Sequence, residues 1–147
     1  MTVELGLVAL AVALGAGVLL SVLKHSYDGR FRRDSRPEPE PVEALTPEQI
    51  GTGLGERATL LQFSSAFCAP CRATHRTLAD VAGMVDGVRH VELDAESHLD
   101  LVRRLDILRT PTVLVLDRDG AVVTRASGQP RKADVIAAIG RAVQTVH

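Results

Sequence analysis

The chain has 147 residues, a formal net charge of −1 at pH 7 and two cysteines. That length allows one domain of ordinary size plus an appendage. The near-neutral charge argues against the basic surface that nucleic-acid binding needs, so we expect no nucleic-acid partner. Trp is absent and aromatic residues make up 3% of the chain, so the core must be aliphatic.

The N-terminal segment contains an apolar run typical of a membrane anchor. No charged residue occurs from Leu5 to Leu23, and a helix of this length, at ~1.5 Å per residue, comes close to the ~30 Å hydrocarbon core of a bilayer. We therefore predict a transmembrane helix over residues 3–23. A cleaved signal peptide is the alternative, but it calls for a basic stretch before the apolar run, where only Glu4 is charged.

Basic residues follow the predicted span, and none precedes it. They are Lys24, Arg30, Arg32, Arg33 and Arg36. Because positive residues favour the cytoplasmic side, we expect a single-pass protein of the cell membrane with its N-terminus outside and its main domain in the cytoplasm. The opposite orientation, with an extracytoplasmic domain, is the alternative.

Residues 24–43 have the composition of a linker. Their first half is basic, and the alternation of proline with glutamate over residues 36–41 favours an extended, semi-rigid spacer. The folded domain is therefore predicted over residues 44–147.

Strand and helix patterns alternate along that domain. Strands are predicted near 42–45 and at 58–63, 88–94, 113–116 and 122–125, the last two joined at an Asp119-Gly120 hairpin turn. Helices are predicted from Pro47 behind a Thr46 cap, over 72–85, on an apolar face of Leu99, Val102 and Leu105, and over 132–146 with Val135, Ile136, Ile139 and Val143 buried. The predicted fold class is α/β, a central mixed sheet flanked by helices.

Two residues separate the two cysteines, which lie between the strand predicted at 58–63 and the helix that follows it. Such a pair can close a small disulfide ring, or it can open with Cys68 at the helix N-terminus, where the helix dipole favours a thiolate. Pro70 fits the first helical turn. A zinc site is the alternative, but the pair supplies only two of about four ligands, and His75 and His90 could complete it only by coincidence.

The motifs that follow the cysteine pair form a set. Thr110-Pro111-Thr112 comes forty residues on and leads into an apolar strand, followed by Asp119-Gly120 and Gly128. From roughly Leu45 to the C-terminus the chain resembles the thioredoxin family. The resemblance implies a thioredoxin fold behind the N-terminal transmembrane helix.

The resemblance also implies roles for single residues. Cys68 would attack a substrate disulfide and Cys71 would resolve the mixed disulfide, so the Cys68–Cys71 disulfide would be the only redox centre, with no other cofactor and no metal. Pro111 would be cis, and the backbone of Thr110 would pair with an extended substrate. Four further residues are implied at an apolar substrate rim: Phe67, Ala69, Pro70 and Gly128.

The chain departs from the family pattern at the cysteines, where the family usually has Trp before the first cysteine and Gly-Pro between the two and this chain has Phe67 and Ala69-Pro70. Two further positions also differ. Gln62 stands where the family has a buried Asp that assists deprotonation of the resolving cysteine, and His90 stands at the position of a buried lysine. A glutamine cannot act as a base. One hypothesis is that Gln62 and His90 form a replacement proton relay, since histidine titrates near neutral pH. The alternative is that His90 is a partly exposed strand residue, and His75 is expected to be solvated.

Together these features predict a membrane-tethered thiol–disulfide oxidoreductase that reduces protein disulfides and so serves cell redox homeostasis. Its electrons would come from a separate reductase or a membrane donor. One alternative is an extracytoplasmic thioredoxin-like protein in disulfide handling or cytochrome c maturation. A second alternative, supported only by Gln62, is a redox-inactive tethering or binding module.

Overall fold

The computed structural model describes residues 2–27, 32–33 and 44–144. In chain order the elements are α1 (Thr2–Tyr27), β1 (Arg32–Arg33), α2 (Pro47–Ile50), β2 (Ala58–Ser64), α3 (Ala69–Met84), β3 (Val88–Asp94), α4 (Leu99–Arg104), β4 (Thr112–Asp117), β5 (Val122–Ser127) and α5 (Lys132–Gln144).

The strands form one mixed sheet in the order β1-β5-β4-β2-β3. Strand β2 runs parallel to β3 and antiparallel to β4, and all seven of its residues are buried. Strands β4 and β5 form the predicted hairpin. At its turn the Asp117 carboxylate accepts hydrogen bonds from the backbone N–H groups of Asp119 and Ala121, both at 2.9 Å. The predicted mixed sheet flanked by helices is therefore confirmed.

The outer edge of the sheet differs from the prediction. The predicted strand near 42–45 is wrong for Ala44 and Leu45, which are not in a strand, and residues 42–43 lie outside the described part of the chain. The reason is that Leu45 makes a single backbone hydrogen bond, to the Gly120 carbonyl at 3.0 Å, in place of a ladder. Strand β1, which lies within the predicted linker, pairs with β5 instead.

Aliphatic side chains pack on both faces of the sheet, as the scarcity of aromatic residues required. Alternate residues of β2 and β4 point to opposite faces, so each strand contributes to two clusters. One cluster contains Leu45, Ile50, Leu61, Phe63, Val91, Leu93, Leu101, Leu105, Ile107, Leu114 and Leu116. The other contains Ala58, Leu60, Leu78, Val81, Val113, Val115, Val135, Ala138, Ile139 and Ala142.

Two predicted helix faces need correction. In α4, Leu99 is 51% exposed, and the chain buries Leu101 and Leu105, which lie four residues apart on the side facing the sheet. In α5, Ile136 is 44% exposed, while Val135 and Ile139 are buried as predicted. Both helices contain more apolar residues than one face can bury, so helical spacing alone did not identify which of these residues are buried.

Helix α1 covers the predicted membrane anchor. Its exposed large apolar residues are Leu10, Val12, Leu14, Val18, Leu19, Leu20, Val22 and Leu23, at 45–67%. Within the described residues, no helix is both long and apolar enough to cross a membrane.

The packing of α3 against the sheet gives a first prediction. Leu78 is fully buried in the second cluster, whereas Met84 on the same helix is largely exposed. We expect Leu78→Ala to lower the free energy of unfolding by about 2–5 kcal/mol, because it leaves a cavity in an aliphatic core. Met84→Ala, the control, should change it by no more than about 0.5 kcal/mol. Urea denaturation of the oxidised chain measures both, and equal losses would contradict the assignment of Leu78 to the core.

Candidate active site

Cys68 and Cys71 form a disulfide at the start of α3, with their Cα atoms 5.1 Å apart. Cys68 is the N-cap residue, and its sulfur accepts a hydrogen bond from the backbone N–H of Cys71 at 3.1 Å. Pro70 lies in the first turn, as expected. Cys71 is 2% exposed, while Cys68 is only half-buried. An incoming sulfur therefore has access to Cys68 and not to Cys71.

The N-terminus of α3 favours negative charge on the accessible sulfur. A sixteen-residue helix presents unpaired N–H groups and the positive end of its dipole at this position. Once the disulfide is reduced, the Cys71 N–H that points at Cys68 can stabilise a Cys68 thiolate. The arrangement is therefore suited to thiol–disulfide exchange through Cys68.

The loop before β4 lies beside the cysteine loop. The Thr110–Pro111 peptide is cis, which confirms the expected conformation of Pro111. The Thr110 hydroxyl lies 2.9 Å from the hydroxyl of Ser65, three residues before Cys68. The Pro111 carbonyl accepts a hydrogen bond from the N–H of Gly128 at 2.7 Å. These contacts join three of the sequence-predicted residues, Thr110, Pro111 and Gly128, at one end of the sheet.

Apolar side chains at this end project into solvent. Phe67, immediately before Cys68, is fully exposed, and Pro70 is exposed as well. Leu108, two residues before Thr110, is 83% exposed and was not among the predicted site residues. The sequence feature that could have identified Leu108 is its apolar side chain in a loop next to the Thr-Pro motif. Both loops thus offer apolar contact area to a protein partner.

Behind the cysteines, the buried Gln62 side chain is fully hydrogen-bonded. Its Nε2 group donates to the Cys71 carbonyl at 3.0 Å, to the Ser64 hydroxyl at 2.8 Å and to Glu92 Oε1 at 3.2 Å. Its Oε1 accepts from His90 Nε2 at 3.2 Å. Gln62 and His90 are therefore in contact, and Gln62 connects the backbone of the resolving cysteine to a carboxylate.

That carboxylate is Glu92, which the sequence did not single out. Its Oε1 also accepts from the Ser64 hydroxyl at 2.5 Å, and its Oε2 accepts from His75 Nδ1 at 2.8 Å. His75, expected to be solvated, is half exposed but has this acidic partner, and its ring meets that of His90 with centroids 4.9 Å apart. The strand alternation of β3 could place His90 and Glu92 on one face, but the register that pairs Glu92 with Gln62 had no sequence signal.

His90 is neutral at pH 7. The pKa of its ring is lowered from 6.5 to about 4, chiefly by burial and also by the charge interaction with His75, while the Glu92 carboxylate opposes both. Since Gln62 Oε1 can only accept, His90 must carry its proton on Nε2. The expectation that His90 titrates near neutral pH is therefore wrong, because the partial burial of the ring disfavours its charged form.

The low pKa of His90 gives a prediction for stability. Between pH 6.5 and about 4 the unfolded chain protonates His90 and the folded chain does not, so acidification favours unfolding in this window and has no such effect above it. We expect a loss of about 1–2 kcal/mol, allowing for the partly exposed ring. His90→Gln should remove this part of the pH dependence and His98→Gln should retain it, as measured by urea denaturation from pH 4 to 8. Identical pH profiles for wild type and His90→Gln would contradict the assignment.

A metal centre finds no support in the described ranges. Within residues 2–27, 32–33 and 44–144, no three side chains of His, Cys, Asp or Glu are grouped as a metal ion would need. Both cysteine sulfurs are bonded to each other.

Known proteins resemble this chain over the same region. A family model, Thioredoxin, matches residues 44–141. The chain is 29% identical over 85 residues to chloroplast thioredoxin M3 of rice (Oryza sativa subsp. japonica), a match that covers 57% of this chain and 48% of that protein. It is 26% identical over 93 residues to thioredoxin of Staphylococcus saprophyticus, covering 62% and 88%. The chain therefore spans about half the length of the rice relative.

A solved structure shows the same fold. The short form of spinach chloroplast thioredoxin F superimposes with a TM-score of 0.53 at 25% identity, covering 60% of this chain and 78% of that one. The family match, for its part, takes in well over half of the chain. This chain belongs to the thioredoxin family.

Proposed function

We propose that this chain is a membrane-tethered thiol–disulfide oxidoreductase that reduces disulfides in proteins close to the membrane. The observation that carries the proposal is the unequal exposure of the two sulfur-bearing residues: Cys68 is accessible at the start of α3 and Cys71 is buried one turn further on. Because of this difference in exposure, each cysteine acts in a separate step of the proposed reaction.

In the first step the Cys68 thiolate attacks one sulfur of the substrate disulfide. The substrate S–S bond breaks, the other sulfur leaves as a thiolate that takes up a proton, and a mixed disulfide forms. Cys71 then loses its proton and attacks the Cys68 sulfur, which releases the second substrate sulfur as a thiol. The substrate gains two electrons and two protons, and the chain ends as the Cys68–Cys71 disulfide. Because Cys71 is held next to Cys68, the second step is intramolecular and outruns release of the mixed disulfide.

The surroundings of the disulfide support a protein as the substrate. An extended segment can pair with the backbone of Thr110 as an added strand. Phe67 and Pro70 offer apolar contacts on one side, and Gly128, hydrogen-bonded to Pro111, lies on the other. Electrons would return through a separate reductase or a membrane donor, since the two cysteines are the proposed redox centre.

The proposed tether is α1. Support comes from the run Leu5–Leu23, which has no charged residue, and from the exposure of the described large apolar side chains along the helix. The basic residues after this run favour a cytoplasmic domain at the cell membrane, held by the linker of residues 24–43. In the opposite orientation, the same domain of residues 44–147 would act outside the cell, in disulfide handling or cytochrome c maturation.

The cysteine roles predict different behaviour for two variants. We expect Cys68→Ser to abolish reduction of insulin disulfides by the chain in the presence of dithiothreitol. Reduced Cys71→Ser, freed of dithiothreitol before it meets the substrate, should accumulate a mixed disulfide with it, because Cys68 can attack but no second thiol of the chain resolves the product. Mass spectrometry under non-reducing conditions detects that species. Wild-type turnover no faster than that of both variants would instead favour the redox-inactive binding module.

The tether predicts a second, independent result. We expect the full chain in the membrane fraction after alkaline extraction, and Leu14→Arg with Val18→Arg in the soluble fraction, since each arginine near a span centre costs about 2.5–3.5 kcal/mol. Leu14→Ile with Val18→Ile, the control, should stay in the membrane. C-terminal fusions to reporters active only inside or only outside the cell then decide the orientation. A wild-type chain that is fully extractable would rule out the tether and leave the redox proposal intact.

A further inference from the structure

We propose that Glu92 is a positioning residue for the redox pair, one that supplies the negative charge that Gln62 cannot provide behind Cys71. By this charge, Glu92 makes the chain a stronger reductant. The inference rests on the proposed disulfide exchange.

The backbone fixes where this carboxylate lies. Glu92 is the register partner of Gln62 in the parallel β2–β3 pair, so the two side chains emerge side by side. Gln62 Nε2 lies 3.2 Å from Glu92 Oε1 and 3.0 Å from the carbonyl oxygen of Cys71. One amide group thus joins the carboxylate to the residue that carries the resolving sulfur.

Three donors hold the carboxylate in place. Ser64 and Gln62, both on β2, donate to Oε1, and His75 on α3 donates to Oε2. The Glu92 side chain is 35% exposed, and each of its two carboxylate oxygens faces at least one donor. The position is therefore suited to a group that only accepts hydrogen bonds.

The remaining groups around Glu92 come from three elements. Strand β2 contributes the neutral side chains of Gln62 and Ser64, and β3 contributes His90, whose ring is neutral at pH 7. Helix α3 contributes His75 and, through Gln62, the cysteine pair. Among these groups His75 is the one that contacts the second carboxylate oxygen, Oε2, at 2.8 Å.

The consequence for redox chemistry follows from like-charge repulsion. Reduction of the disulfide takes up two electrons and, at neutral pH, one proton, giving one thiolate and one thiol. A nearby carboxylate disfavours the thiolate and leaves the uncharged disulfide unaffected. Glu92 therefore shifts the equilibrium toward the disulfide, which means that the dithiol gives up its electrons more readily.

Glu92→Gln tests the charge while keeping the shape of the side chain. In equilibrium with reduced and oxidised glutathione at pH 8, we expect this variant of the full chain to favour the dithiol about threefold to tenfold more than wild type, a potential about 15–30 mV less negative. The pH midpoint for alkylation of its thiols should be lower. Glu96→Gln removes a charge just beyond β3 and, as the matched control, should leave both quantities within about 1.5-fold or 0.2 pH units of wild type.

Comparison of stability with redox behaviour separates a charge effect from a structural one. A role limited to packing would lower the free energy of unfolding and leave the potential and the alkylation midpoint unchanged, which would overturn the inference.

The activity of the wild type tests the proposed function separately from the inference about Glu92. If wild type equilibrates with glutathione and reduces insulin while Glu92→Gln matches Glu96→Gln in potential and alkylation midpoint, the inference about Glu92 fails and the proposed function stands. If wild type itself reduces no protein disulfide, the proposed function fails, whatever the variants do, and the inference fails with it.

Discussion

The site depends on one constraint, the burial of β2 between a parallel and an antiparallel neighbour. All seven residues from Ala58 to Ser64 are buried, and their hydrogen bonds on both sides are taken by β3 and β4. Strand β2 therefore ends where β4 begins, and Phe63 pairs with Thr112 directly after Pro111. The parallel register brings Glu92 to the same end. The cysteine loop, the cis-proline loop and the carboxylate meet there because a slip of one residue would turn the apolar side chains of β2 to the wrong face.

A glutamine in this buried strand loses its contacts with water, and hydrogen bonds within the protein compensate for that loss. A buried amide that lacks hydrogen bonds is destabilising by about 1–3 kcal/mol. Gln62 avoids this cost, since both ends of its amide have partners: His90 at Oε1, and Ser64, Glu92 and the Cys71 carbonyl at Nε2. Gln62 thus connects the Cys71 backbone to a carboxylate, and that carboxylate, Glu92, lies on the edge strand β3 with its side chain 35% exposed.

The sequence alone predicted those structural features that a local residue pattern determines. An apolar run located β2, alternation located β3, local motifs located the cysteine turn and the hairpin turn, and the family resemblance implied the cis proline. Three features depend on non-local packing and could not be predicted: the choice of Leu101 over Leu99 in α4, the pairing of Arg32–Arg33 with β5, and the register of Gln62 with Glu92. In each case several pairings satisfy the local pattern, and only the rest of the sheet selects one.

His90 illustrates how the same residue can matter for a different reason than its chemistry suggests. The carbonyl of Cys71, which can only accept, fixes the amide nitrogen of Gln62 at the cysteine end, and Gln62 Oε1 then accepts from His90 Nε2. A charged His90 would place a positive charge beside Glu92 and offset it. Partial burial keeps the ring neutral at pH 7. His90 thus completes the hydrogen bonding of Gln62 without altering the charge behind Cys71.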